Sequence, residues 1–195
     1  MQPATAQSKL SLAEAGQAHE LLQQTETGAI GAIVGLTDAQ WTFKPAPGSW
    51  SIAEIMEHVT CVQERVLGML RDQLPAAPAG PAERPIALID AIVIHQFPSR
   101  LMKAQAPEFL APKGGMNIAE ARARLSANTR RLNECLTSIP DLREHLLESP
   151  PLQRFTNGEH GVMDGYQWIL AAAAHTERHT KQILEVKAAA NFPAN

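Results

Sequence analysis

Two histidines near the end of the chain are spaced for chelation. His175 and His179 lie four positions apart in a segment whose periodicity predicts a helix, so their rings project from one face about one turn apart. Two ring nitrogens on one rigid element lose little entropy when they bind an ion. A third nitrogen from another helix would complete a three-histidine set with positions open for water or substrate. His58 is the candidate third ligand.

The same histidine pair has a second interpretation. Both rings share a predicted helix face with Trp168 and Ile183, so they point into the core, where a polar group without a partner is costly. One metal ion would satisfy both rings. Ordinary core histidines with hydrogen-bond partners would satisfy them equally well, and the spacing alone leaves both interpretations open.

Gln182 is a further candidate, because it follows His179 within one helical turn on nearly the same side and could orient a ligand or a bound water. Glu57 and Glu177 each neighbour a histidine in sequence, but adjacent helical residues point about 100° apart. A solvated helix face explains both carboxylates. Six other histidines and cysteines are predicted to be satisfied, solvated or buried without a role in the site: His19, His95, His145, His160, Cys61 and Cys135.

Four predicted helices must position these residues. The strongest start signal is Ser51 with Glu54, a capping box that begins a helix running to about residue 73, with Trp50 placed to pack on Ile55. The last helix follows Asp164 as its cap and runs to about residue 190. The other two are predicted over residues 10–36 and 117–139, with a connection at 37–48, a short helix at 141–148 and a loop at 149–165.

A long irregular passage separates the second and third predicted helices. Residues 74–85 are rich in proline, and an apolar helical segment at 86–105 is interrupted by Pro98. We call residues 74–115 the crossover segment and expect it to form a lid or a dimer surface. The fold class is therefore predicted as all-α, a four-helix bundle with an inserted crossover between helices two and three.

Composition limits the function classes. The net charge of −3 and the pI near 6.2 provide no basic field for nucleic acid, and no apolar run approaches the length that spans a membrane. Two cysteines are too few for a disulfide framework. We expect residues 1–195 to form one cytoplasmic domain, with flexible tails at about 1–8 and 191–195.

Two stretches resemble a known family. Residues 48–58, GSWSIAEIMEH, are similar to the helix-start signature of the DinB-like superfamily, which includes YfiT-like metal proteins. Tyr166, Trp168 and residues 175–183, HTERHTKQI, are similar to that family's last helix with its histidine metal pattern. The resemblance spans most of the chain, although its motifs are concentrated in these two places.

The resemblance implies a four-helix bundle in which His58, His175 and His179 bind zinc, nickel or a similar divalent ion. It also implies a metal-dependent enzyme, either a hydrolase or a transferase or isomerase that uses a low-molecular-weight thiol such as mycothiol, bacillithiol or glutathione. A metal-binding but non-catalytic structural or stress-response dimer is the alternative. A structural zinc site ordinarily has four protein ligands, so a set of three favours the open, reactive site.

Overall fold

A computed structural model of the protein describes residues 9–101 and 106–194. Within these residues the α-helices are α1 (Leu12–Ile33), α2 (Asp38–Thr42), α3 (Ile52–Asp72), α4 (Ile86–Gln96), α5 (Ile118–Ser138), α6 (Pro150–Phe155) and α7 (Gly165–Lys187). Two short strands, β1 (Leu146–Glu148) and β2 (Val162–Asp164), pair antiparallel. None of the described helices combines the length and the apolar character needed to cross a membrane.

The four long helices form the predicted bundle, in which α1 and α3 each pack against both α5 and α7. Two clusters of buried apolar side chains divide the bundle core along its length. The first holds the beginnings of α1 and α7 and the ends of α3 and α5; the second holds the opposite ends of the same helices. Consequently α1 and α7 run in one direction, and α3 and α5 run in the other.

This up-down-down-up order explains the length of the crossover segment. Because α3 and α5 point the same way, the connection between them must return along the whole bundle, which is roughly 30 Å for a helix of this size. The described part of the crossover contains a 3₁₀ turn at Leu74–Ala76, then α4, and a second 3₁₀ turn at Glu108–Leu110. The α4 helix packs against α7. The expected inserted crossover is thus confirmed.

Local capping explains where the two histidine-bearing helices begin. The Ser51 hydroxyl accepts the backbone N–H of Glu54, and the Glu54 carboxylate accepts the backbone N–H of Ser51. Asp164 and Gln167 form the equivalent box at the start of α7. Both starts agree with the sequence prediction. Because each cap fixes where its helix begins, it also fixes the position of the histidines along that helix.

Three sequence predictions between the long helices are wrong. The connection predicted at 37–48 contains α2, which begins at a capping box formed by Thr37 and Gln40. The helix predicted over 141–148 does not form, since Leu146–Glu148 is the strand β1, held in place by its pairing with β2. The loop predicted at 149–165 contains α6 and β2; Ser149 caps α6, and the proline at its first position is already fixed in a helical φ.

The chain after α7 contacts the bundle. The Phe192 ring meets the Phe43 ring edge-on, with 5.4 Å between centroids. The Gln40 side-chain amide donates to the Pro193 carbonyl at 2.9 Å. These contacts involve residues 192 and 193 of the tail expected at 191–195, whereas the other predicted tail, residues 1–8, lies outside the described residues.

Candidate metal centre

Three imidazole rings converge between α3 and α7. The Nε2 atom of His175 lies 3.2 Å from that of His58 and 3.1 Å from that of His179. Suitable ligand atoms of all three residues fall within 4.8 Å of one another. The three rings thus form one converging set, as the metal-binding interpretation requires, and two of them also have the hydrogen-bond partners of the second interpretation.

The outward nitrogens of two of these rings have hydrogen-bond acceptors. His58 Nδ1 donates to the Leu110 carbonyl at 2.8 Å, and His179 Nδ1 donates to the Gln182 side-chain oxygen at 2.8 Å. These bonds place the ring hydrogen on Nδ1 and leave the Nε2 lone pair facing the centre of the cluster. His175 differs, because its Nδ1 is buried without a hydrogen-bond partner among the described residues.

Burial keeps the three rings neutral. It lowers the pKa of His58 below its ordinary value, and the bond to Leu110 offsets part of that change. Burial and the neighbouring His58 lower the pKa of His179 to about 3. The pKa of His175 is lowered well below its ordinary value by burial and by the other two rings. Neutral imidazole is the form that binds metals.

The Trp50 side chain forms an aromatic wall beside the cluster. Its ring centroid lies 4.9 Å from that of His58 and 6.4 Å from that of His179. Trp50 is the residue immediately before Ser51, the α3 cap, so this ring comes from the start of the helix that carries His58. The Trp50 ring therefore covers one side of the cluster with an apolar surface.

The crossover segment is tied to α3 beside His58. Both oxygens of Glu57 accept backbone N–H groups, from Lys113 at 3.0 Å and from Gly114 at 2.8 Å. Gly114 has a φ of 83°, in the left-handed region that glycine enters without strain. Glu57 is partly exposed, as the solvated face expected for it requires, and its carboxylate additionally anchors the loop that supplies Leu110.

Other residues considered from the sequence lie apart from the cluster. The His19 ring bonds to the Asn133 side chain at 2.9 Å, and His145 Nδ1 donates to the Ala77 carbonyl at 2.6 Å. The Glu177 carboxylate pairs with Lys181 one turn along α7. Gln182 contacts His179, as its position one turn along α7 predicted. The Leu110 carbonyl was not anticipated, because a backbone acceptor has no residue-type signal. The residues Lys113, Gly114 and Gly115 indicated only an interruption between helices.

Comparison with known proteins agrees with this architecture. A sequence profile of the DinB superfamily matches residues 21–183. The chain belongs to the DinB superfamily. This DinB-superfamily protein is 25% identical over 157 residues to the uncharacterized protein YuaE of Bacillus subtilis (strain 168), covering 80% of this chain and 88% of YuaE.

The fold is also shared with a solved structure. YfiT from Bacillus subtilis, described as a probable metal-dependent hydrolase with an unusual four-helix bundle topology, aligns with a TM-score of 0.55. The alignment covers 96% of this chain and 91% of that chain at 13% identity. The four-helix bundle predicted from the sequence is thereby confirmed.

Proposed function

We propose that this protein is a metal-dependent enzyme in which His58, His175 and His179 hold one divalent transition-metal ion. The supporting observation is the convergence of three Nε2 atoms at 3.1 and 3.2 Å spacing. Two nitrogens bound to one ion at about 2.0–2.1 Å each lie about 3.0–3.4 Å apart. The two nitrogen pairs that include His175 match that spacing, and all three ligand atoms lie within 4.8 Å of one another.

Hydrogen bonding among the rings alone accounts for the cluster poorly. His58 and His179 carry their ring hydrogens on Nδ1, so both present lone pairs to His175 Nε2. That atom carries one hydrogen at most and can donate well to only one neighbour. In the second of the two contacts of His175 Nε2, two nitrogen lone pairs then face each other in a buried setting. A cation at the centre turns this repulsion into attraction, so the donor set fits a metal ion.

Among the described residues three protein ligands converge, and a set of three leaves coordination positions for water or substrate. A bound divalent ion would lower the pKa of a coordinated water or thiol and so supply a nucleophile at neutral pH. The chain contributes neutral ligands, two fixed ring orientations and the Trp50 wall. The positive charges of Arg178 and Arg100 also influence the histidines, because they help to lower the pKa of His179. An anionic nucleophile gains stability in such a setting.

Hydrolysis of a small-molecule substrate is the reaction we favour, because the structural relative YfiT is described as a probable metal-dependent hydrolase. Transfer to or from a low-molecular-weight thiol uses the same open site and is tested alongside it. Zinc or nickel as the ion, a homodimer and a location in the cytoplasm stay predictions of the sequence.

The test compares metal-free and metal-loaded protein in a Cys61→Ala/Cys135→Ala background, so that no protein thiol competes. Zinc- and nickel-loaded samples are screened for hydrolysis of activated esters and amides and for glutathione transfer to electrophiles. We expect turnover that disappears with a chelator, returns with the metal and is absent in His179→Ala. Turnover that persists in the chelated protein and in His179→Ala would contradict the proposal. A response limited to thiol transfer would replace hydrolysis with the second reaction.

A further inference from the structure

The crossover segment reaches the histidine cluster through a chain of side-chain contacts on α7. Arg100 Nη1 donates to the Gln182 side-chain oxygen at 3.4 Å, and the same oxygen accepts the Nδ1–H of His179 at 2.8 Å. Arg100 lies in the crossover segment, whereas Gln182 and His179 lie on α7, three positions apart. The Gln182 oxygen therefore joins the crossover to one of the three histidines.

The guanidinium of Arg100 is itself held in place. Its Nε and Nη2 donate to the two carboxylate oxygens of Glu185 at 3.1 and 2.9 Å. This two-point contact fixes the plane of the guanidinium, and the remaining Nη1 then faces Gln182. Glu185 follows Gln182 by three positions, so both lie on one face of α7. Gln182 on that face accepts from the His179 ring, and Glu185 accepts from the Arg100 guanidinium.

Two donors meeting one oxygen determine which way the Gln182 amide points. If the amide were turned over, its NH₂ group would face the N–H of His179 and the N–H of Arg100, and neither donor would have an acceptor. Arg100 thus disfavours the turned amide even when no ion is bound. With the oxygen held towards the ring, His179 keeps its hydrogen on Nδ1 and its Nε2 lone pair towards His58 and His175.

We propose that Gln182 is a positioning residue for His179 and that Arg100 of the crossover segment locks the Gln182 amide in the orientation that prepares this ligand. The proposal rests on the metal-binding function above and deepens it. The three ligands then differ in what orients their rings. The Nδ1 of His58 donates to a backbone carbonyl, and that of His179 donates to a side chain held from the crossover. The Nδ1 of His175 has no hydrogen-bond partner among the described residues.

The test uses four variants and two readouts. Gln182→Met removes the acceptor at similar length, Gln182→Glu retains an acceptor, and Arg100→Met removes the lock. Lys181→Met is the matched control, because the contacts of the Lys181 ammonium with described residues are the Pro98 carbonyl in the crossover and the Glu177 carboxylate, both outside the cluster. The readouts are cobalt affinity with its absorption spectrum, and long-range ¹H–¹⁵N correlations of the histidine rings in metal-free protein.

We expect Gln182→Met to weaken cobalt binding about 10- to 100-fold and to change the cobalt absorption bands. Arg100→Met should weaken binding less, Gln182→Glu should restore most of it, and Lys181→Met should match the wild type. In the metal-free protein, His179 should carry its hydrogen on Nδ1 in the wild type and show a mixture of tautomers in Gln182→Met.

Unchanged cobalt binding and an unchanged His179 tautomer in Gln182→Met would overturn the positioning role while leaving the three-histidine site intact. An equal loss in Lys181→Met and Arg100→Met would overturn the lock, since any crossover contact would then have the same effect. Wild-type protein that binds no cobalt would defeat the proposed metal function; the tautomer measurement would still decide whether Gln182 orients His179.

Discussion

The Nε2 atoms of His58 and His175 lie 3.2 Å apart although 117 positions separate the two residues along the chain. Their helices run in opposite directions and are joined through the long crossover, the α5 helix and the short sheet. The contact depends on the register of α3 against α7. Each of these helices begins at a capping box, so stability at the caps and geometry at the cluster are linked.

Removing the α3 cap should therefore affect both properties. Ser51→Ala leaves first-turn N–H groups without an acceptor and should lower the free energy of unfolding by about 0.5–2 kcal/mol. It should also weaken cobalt binding, because His58 lies less than two turns from the cap. Urea titration and cobalt titration measure the two effects. Ser138→Ala, an exposed change at the end of α5, should leave both values at wild type; an equally stable Ser51→Ala protein would refute the role of the cap.

The partner of Ser51 in the capping box makes the same helix start sensitive to acid. Burial alone would raise the pKa of Glu54, but the Lys44 ammonium and the Ser51 N–H lower it below its ordinary value of 4.5. A lowered folded-state pKa adds stability that is present above the unfolded pKa and is lost as the pH falls through the folded value. We expect Glu54→Gln to show a smaller fall in stability between about pH 6 and pH 3 in urea titrations. Equal acid sensitivity of the two proteins would exclude Glu54 as the source.

The start of α7 depends on a buried ion cluster at the opposite end of the bundle from the histidines. Arg143, 2% exposed, contacts the carboxylates of Glu14, Asp90 and Asp164 at 2.6, 2.7 and 3.2 Å. Arg143→Met leaves the buried Asp164 with Arg84 as its remaining cation and removes the cation of the partly exposed Glu14 and Asp90, so it should cost about 3 kcal/mol in thermal or urea unfolding. Arg71→Met, which breaks only the exposed pair with Asp72, is the control and should have no measurable effect. Equal stability of the two variants would contradict this account.

Two glycine substitutions should have opposite effects. A Cβ at Gly165 would lie 2.6 and 2.7 Å from the methyl groups of Leu74 and Leu142, where the end of α3 meets the start of α7. Gly165→Ala should therefore destabilise the protein by about 1–3 kcal/mol. Gly16 lies within α1 with no atom inside 4 Å of such a Cβ, so Gly16→Ala should stabilise by up to about 1 kcal/mol. A Gly165→Ala protein as stable as the wild type would contradict the close approach of Leu74 and Leu142 to Gly165.

The elements that the sequence predicted correctly are those with a local and periodic signal. The caps at Ser51 and Asp164 and the four-position histidine spacing follow from adjacent residues, so both helices and their histidines could be predicted. The α2 helix and the proline-initiated α6 also carry local start signals, namely the caps Thr37 and Ser149. The strand β1 has no such signal, because a three-residue segment forms a strand only when its partner is in place.

The surroundings of the histidines depended on tertiary structure. A backbone carbonyl such as that of Leu110 becomes an acceptor for His58 only when the crossover returns along the bundle. The Arg100 contact with Gln182 likewise joins residues 82 positions apart. No residue pattern encodes either contact, whereas the i,i+3 relation of His179 to Gln182 is encoded and was anticipated.

The most direct test of the central claim is the amount of divalent metal retained by single-histidine variants. Wild type and His95→Ala, an exposed histidine outside the cluster, are equilibrated with cobalt, passed through gel filtration and analysed for bound metal beside His58→Ala, His175→Ala and His179→Ala. Circular dichroism checks that helical content is preserved, since the apolar core supplies most of the folding stability. We predict about one ion per chain in the first two proteins and background levels in the three cluster variants. Wild-type metal content in folded His175→Ala and His179→Ala proteins would contradict a three-histidine metal site.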